Sequence, residues 1–412
     1  MKPPARSSVG PLGIAAVLTA LATAFACGSS DSDDSQAGAG SGSASGAGAG
    51  AGLGGGAAGI GGSALPGASA AGESGESSNA AAGSAGEAEK SPSGGDAGGQ
   101  GGEAGVGGAP MEPPDPEGLS GAITHVHDPD IVKDGDTFYL FSTGEGISIR
   151  TSKDLKAWVG AGQVFDKKPA WISTTDPQDP NNLWAPEVLY FGGTFHLYYA
   201  ASKFGSRYSC IGHATKASLA STDDWLDLGA TYCSNAGDTV QDFNAIDPNP
   251  FRDEQGGLWL GFGSFWSGLK LVRIDSSGNV DGPDFFSLAT RANQAVEAPH
   301  LQYHAGFYFL FESVDFCCQG AASTYKIMVG RSENVFGPYV DRAGTQLSDG
   351  GGTLVLEGAG RWRGPGHNAI VQDGDRYWNV YHAYDADNDG VPTLRISELT
   401  WSDDNWPVSA GP

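Results

Sequence analysis

Three carboxyl residues stand in short Pro-containing motifs: His127-Asp128-Pro129-Asp130, Asp247-Pro248-Asn249-Pro250 and Glu297-Ala298-Pro299. Two carboxyls facing each other across a sugar can break a glycosidic bond. One stays protonated and donates to the leaving oxygen; the other is ionised and activates water or attacks directly. A third carboxylate nearby raises the pKa of the acid by like-charge repulsion. A single Asp-Pro is a common turn and carries little weight. Three acids at one position of a repeated unit carry much more. Other chemistry is poorly served. The chain has no Gly-x-Ser-x-Gly string for a serine nucleophile, the adjacent Cys317-Cys318 look structural, and the one His-x-x-x-His spacing, His300 to His304, falls in an aromatic hairpin run without the His-Glu-x-x-His pattern of catalytic zinc.

The elements that must position these acids recur five times. Each unit has a short motif, an apolar run, a Gly-containing turn and an aromatic strand. The units begin at His127, Trp184, Asp247, Glu297 and Gly366, and their strands place Tyr139, His196, Trp259, Tyr308 and Trp378 at equivalent positions. Alternating aromatic and β-branched runs without long helical periodicity make the folded part all-β. Each hairpin leaves room for two more strands, so five four-stranded units around an axis predict a five-bladed β-propeller. The alternative is a β-sandwich with coincidental hairpins. In a propeller the first strand of each blade lines the central channel. Asp128, Trp184, Glu187, Asp247, Glu297 and His367 are therefore expected at the mouth of one cavity, where buried acids are costly unless used.

The rest of the 412-residue chain cannot build a core. Residues 28–118 hold 29 of its 65 glycines, no aromatic residue and a net charge of −11. They read as a disordered acidic tether with a Pro-rich end, its mean reach about 50 Å as a Gly-rich coil. Residues 1–27 carry Lys2 and Arg6 and then 17 apolar residues ending at Ala26. That run is short for a membrane span and suits a secretory signal. Small residues before Cys27 and an abrupt polar switch after it resemble a bacterial lipoprotein signal, with Cys27 lipidated; the alternative is an ordinary signal cut near Ala26. The protein is thus expected to be exported and held at the cell envelope, touching membrane only through that anchor. Removing Cys27 leaves Cys210, Cys233, Cys317 and Cys318, an even set whose connectivity the sequence leaves open. Residues 119–412, the propeller, carry −16. An acidic body without a basic patch argues against nucleic acid and suits a neutral glycan.

Beyond the acids, Trp184 is expected to stack on sugar. Ser264, Phe265 and Trp266, in a Gly-rich loop, are candidates for a neighbouring subsite, with core packing the alternative for the rings. His127 can bond sugar or orient Asp128. Asp385-Ala-Asp-Asn-Asp-Gly390 opens like a calcium-binding loop, but its twelfth position is Ile396 rather than Glu, so a polar hairpin turn is expected.

The chain resembles glycoside hydrolase family 43, and within it the endo-1,5-α-L-arabinanases. The matching strings include Val126-His-Asp-Pro-Asp-Ile, Asn182-Leu-Trp-Ala-Pro-Glu-Val, Asn244-Ala-Ile-Asp-Pro-Asn, Gly261-Phe-Gly-Ser-Phe-Trp-Ser-Gly, Val296-Glu-Ala-Pro, Ser323-Thr-Tyr-Lys-Ile-Met and Gly364-Pro-Gly-His-Asn. The resemblance implies a five-bladed propeller that cleaves internal bonds of arabinan with inversion. It makes Asp128 the general base, Glu297 the general acid and Asp247 the residue that tunes and orients the acid. It also implies that His367 holds a calcium ion, with waters, in the channel beneath. Phe316 stands where Arg is expected before the Cys pair. A monomer is expected. The alternatives are an exo-acting arabinofuranosidase or β-xylosidase of the same family, and a non-catalytic glycan-binding propeller.

Overall fold

The computed structural model describes residues 118–412, apart from 176–179 and 237–238. The proposed signal, the lipidation site at Cys27 and the tether up to residue 117 lie outside the described residues.

The described part is a ring of five antiparallel sheets. The first blade comprises Asp130–Asp134, Thr137–Ser142, Ser148–Ser152 and Ala157–Gln163, with Ser120–Gly121 added parallel to the last strand. The second comprises Leu183–Phe191, Thr194–Ala201, Cys210–Lys216 and Leu226–Cys233. The third is Asn249–Arg252, Leu258–Phe262, Leu269–Arg273 and Phe286–Ala289. The fourth is Val296–His304, Phe307–Val314, Lys326–Ser332 and Thr353–Leu356, and the fifth is Trp362–Asp373, Arg376–Asp385, Val391–Trp401 and Pro407–Ser409.

Each second strand is a continuous apolar run, such as Thr-Phe-His-Leu-Tyr-Tyr-Ala-Ala at 194–201, because neighbouring blades cover both of its faces. Five apolar cores follow. Phe141 and Ile147 of the first blade meet Leu197 and Tyr199 of the second. Tyr198 and Ile211 meet Leu260 and Phe262 of the third. Trp259 and Leu271 meet Leu301 and Leu310 of the fourth. Phe309 and Phe311 meet Tyr381 and Ala383 of the fifth. Trp378 and Val380 close the ring on Leu140 and Trp158 of the first.

The segment before the first blade stitches this closure. Ser120 and Ala122 donate to Lys156 and Trp158 of the first blade, at 2.9 Å each, while Ile123 accepts from Leu394 at 2.8 Å and Val126 donates to Pro392 at 3.1 Å on the fifth.

Two expectations about register need correction. In the fourth blade the residue equivalent to Tyr139, His196, Trp259 and Trp378 is Phe309, not Tyr308. Phe309 faces the fifth blade, as its counterparts face the blade that follows them, whereas Tyr308 turns to the third. The six motif residues also do not share one level, as described below. Cys210 and Cys233 form a disulfide between paired strands, with a Cα–Cα distance of 4.0 Å, and Cys317 is bonded to Cys318. Residues 385–390 form a hairpin turn, with Gly390 donating to the Asp385 carbonyl at 2.8 Å and the Asp385 carboxylate paired with Arg361.

Candidate active site

One backbone feature recurs at the start of every innermost strand. Asp128, Ala185, Asp247, Ala298 and His367 have φ of 51°, 45°, 56°, 54° and 50°. Left-handed backbone is unfavourable for residues with a Cβ, and a following proline, present after four of the five, restricts them further. In the second, fourth and fifth blades the strand register also shifts here, a bulge that re-aims side chains. Five strained positions at one level of a ring mark a site, since such strain collects where structure serves function.

The motif residues fall on three levels about this one. Asp128, Asp247 and His367 lie on it. His127, Trp184 and Glu297 stand one residue before it. Glu187 stands two residues beyond it, level with Asp130, Asn249 and His300. Glu187 therefore belongs to a deeper layer that ties blades together. Its carboxylate accepts from Asn249 Nδ2 at 2.5 Å and from His300 Nδ1 at 3.1 Å. His300 Nε2 in turn accepts from the Ile370 N–H at 3.1 Å, so the ring proton sits on Nδ1. Asp130 accepts from the Val188 N–H at 2.8 Å, and burial together with the Glu187 charge pushes its carboxyl well up. This layer carries cross-blade bonds and no free acid–base pair.

Around the strained level the three acids differ in environment. Asp128 Oδ1 lies 2.8 Å from His127 Nδ1 and 3.1 Å from His367 Nδ1, while Oδ2 accepts from Thr143 Oγ1 at 2.6 Å. Burial alone would raise its pKa. The charges and hydrogen bonds of the two histidines outweigh burial and hold it well below the usual carboxylate range. Glu297 is placed by two hydroxyls, Ser264 Oγ on Oε2 and Tyr325 on Oε1, both at 2.7 Å. Burial raises its pKa despite these two bonds, and the Asp128 charge adds to the rise. Asp247 Oδ2 accepts from the Ala298 N–H at 3.1 Å, beside Glu297 in sequence. Burial lifts it well above its ordinary value, with the Glu297 and Asp128 charges contributing. The site thus sets one carboxyl whose partners favour ionisation beside two whose burial favours the proton.

His367 is pushed up to about 10: burial lowers it, but Asp128, Asp247 and Glu187 raise it more. Its Nδ1 faces Asp128, so an ion would meet the ring at Nε2, in place of the proton held there. A histidine that hands one ring N–H to a carboxylate while the other nitrogen takes a metal is a common arrangement. Among the described residues the tightest donor groups are His127 with Cys317 and Cys318, and His127 with Asp128 and His382. Both draw on His127, whose two nitrogens are engaged by Asp128 and, at 2.8 Å, by the Tyr384 hydroxyl. A hard cation at His367 Nε2, completed by water amid acidic groups, fits the residues better than a soft metal in either cluster.

The remaining expected contacts divide. His127 is the orienting partner of Asp128, stacked 4.0 Å from His382. Ser264 is buried and serves Glu297 rather than a separate subsite. Phe265 and Trp266, with φ of 52° and 43°, stay partly exposed on a loop held by the Phe265 N–H on the Val296 carbonyl at 2.9 Å. Trp184 is partly exposed, one residue before the strained level. Sequence reasoning missed Thr143, Tyr325 and His382. His382 Nδ1 accepts the Asp128 N–H at 3.2 Å. Tyr325 lies within a string already noted for its family likeness, the one signal that could have found it.

A propeller that buries a carboxylate held by two histidines beside two acids whose pKa values burial raises is built as a glycoside hydrolase. The sequence profile of glycosyl hydrolases family 43 matches residues 122–407. The extracellular endo-α-(1→5)-L-arabinanase 1 of Bacillus subtilis is 41% identical over 288 residues, covering 68% of this chain and 87% of that protein. An extracellular exo-α-(1→5)-L-arabinofuranosidase of Cellvibrio japonicus is 39% identical over 299 residues, 68% of this chain and 85% of that one. A solved endo-arabinanase of Bacillus licheniformis superposes with a TM-score of 0.66 at 41% identity, covering 70% of this chain and 99% of that chain. The chain belongs to glycosyl hydrolase family 43.

Proposed function

We propose that the protein is an exported endo-acting 1,5-α-L-arabinanase that works with inversion, as a monomer. The observation that carries the mechanism is the unequal surroundings of the two carboxyls, histidines on Asp128 and hydroxyls on Glu297. Asp128 takes a proton from a water whose oxygen bonds to the anomeric carbon. The bond from that carbon to the leaving O5 breaks, and Glu297 supplies the proton that O5 needs. His127, His367 and Thr143 keep Asp128 ionised and aimed; Ser264 and Tyr325 do the aiming for Glu297. Asp247, at the Ala298 N–H, raises and orients the acid. Inversion requires the two carboxyls roughly 6.5–9.5 Å apart, with water between.

His367 Nε2 would hold a calcium ion in place of its ring proton, and the ion would supply the positive charge that the imidazolium otherwise gives Asp128. Chelation is expected to lower the melting temperature, and calcium to restore it. Trp184 offers an aromatic face to the sugar. Export is supported by relatives described as extracellular; anchoring through Cys27 is part of the proposal, and Cys27→Ser is expected to release the protein from the membrane fraction.

The exo-acting relative keeps a second reading in view. The test is the product pattern from linear arabinan over time. A ladder of oligosaccharides in the first minutes supports endo action; arabinose alone, or a single short product, contradicts it.

A further inference from the structure

We infer that Phe316, with Phe265, forms the platform for the leaving-side sugar and so sets the demand for a ring on that side of the cut bond. The inference rests on the proposed role of Glu297 as acid. An acid must stand beside the oxygen that departs, so the loops that hold Glu297 border the leaving sugar.

Two loops hold it. One runs between the second and third strands of the third blade and supplies Ser264 to Oε2; the other occupies the same place in the fourth blade and leads into Tyr325, which supplies its hydroxyl to Oε1. Each loop carries a phenyl ring next to its attachment point. Phe265 follows Ser264 directly. The Phe316 carbonyl accepts from the N–H groups of Thr324 and Tyr325, at 2.9 and 3.1 Å. The two rings lie 6.3 Å apart at 40°, two adjoining faces of one wall.

Phe316 is 44% exposed, although an apolar ring there would be buried if packing were its purpose. It is also held rigidly. Asp315 and Cys318 on either side are left-handed, with φ of 69° and 65°. The Asp315 carboxylate pairs with Lys326 at 2.9 Å, and its N–H donates to the Ala295 carbonyl at 3.2 Å. Beyond Phe316 the bonded Cys317–Cys318 pair is pinned by the Cys318 N–H on the Tyr384 hydroxyl at 2.8 Å. A strained, braced and exposed aromatic beside the acid suits the C–H-rich face of a neutral furanose. It has no charge to offer and asks none of the ligand.

The test compares two substrates that share the glycone side. Linear α-1,5-arabinopentaose places rings on both sides of the cut bond; α-1,5-arabinotriosyl fluoride leaves as fluoride, with no ring on the leaving side. Phe316→Ala is expected to lower kcat/KM on the pentasaccharide about tenfold more than on the fluoride, a differential of about 1.4 kcal/mol. Phe316→Trp, which keeps a flat face, is expected to restore most of that difference. Equal losses on both substrates would show that Phe316 only supports the loop, and unchanged values on both would show that it touches nothing; either overturns the inference. Parent enzyme inactive on both substrates would instead remove the arabinanase reading itself.

Discussion

Asp128 and Glu297 are both buried carboxyls, and what separates them is their partners: histidines on one, hydroxyls on the other. Activity should therefore fall on the basic side when Glu297 loses its proton. The Tyr325 hydrogen bond lowers the Glu297 pKa. Tyr325→Phe removes that bond, so the acid holds its proton longer and the basic limb of kcat/KM should move to higher pH. A shift to lower pH would contradict the assignment of Glu297 as the acid. General acid catalysis contributes on the order of 10²–10⁴ in rate. Glu297→Ala should lose that much on arabinan and far less on an aryl arabinofuranoside with a good leaving group, whereas Asp128→Ala should lose both activities. The three acids themselves were legible in the sequence because each sits within two residues of a proline in a repeated motif. Thr143, Tyr325 and His382 were not, because they come from loops and second strands whose approach to the acids depends on how blades close on one another.

The strands carry their own consequences. The five hairpins were legible from local alternation and Gly turns, but the slip from Phe309 to Tyr308 shows the limit: a one-residue error in register sends a side chain to the opposite face of its blade. Similarly, Glu187 reads like a fourth acid of the site, and only the bulge between Trp184 and Glu187 shows that it bonds Asn249 and His300 one layer deeper. The second strand of the fourth blade holds a buried carboxyl the mechanism does not use. Glu312 is fully buried, 3.4 Å from Arg291 through Oε1 and without a partner at Oε2. Burial pushes its pKa up to about 8 despite Arg291. The unfolded chain releases this proton near the ordinary value of 4.5, while the folded chain keeps it until about 8. Stability should thus fall as pH rises through that window, at most about 1.4 kcal/mol per unit. Glu312→Gln does not titrate, so its stability relative to the parent should increase from pH 5 to pH 8 in urea unfolding. A difference that stays the same at both values would show that Glu312 is ionised in the folded protein at both.

At the scale of the ring, closure depends on a short segment that lies outside the five four-stranded repeats. Residues 119–126 bury Leu119 and Val126 in the core between the first and last blades and bond to both. A chain starting at residue 119 should fold and hydrolyse arabinan without the tether, whereas one starting at 127 should melt several degrees lower, read by calorimetry. Five blades were legible from the repeat; this stitch was not, since nothing in Leu-Ser-Gly-Ala-Ile-Thr marks a strand. Closing the ring brings the first and fifth blades together, and with them Asp128 and His367, while the third and fourth blades bring Asp247 and Glu297. In the proposed mechanism this ring holds a water between a base on Asp128 and an acid on Glu297. Proton NMR of linear arabinan in the first minutes of hydrolysis tests it most directly. With inversion, the new reducing ends appear first as the β-anomer and then equilibrate. New ends that appear first as the α-anomer would mean retention, and the base assigned to Asp128 would be wrong.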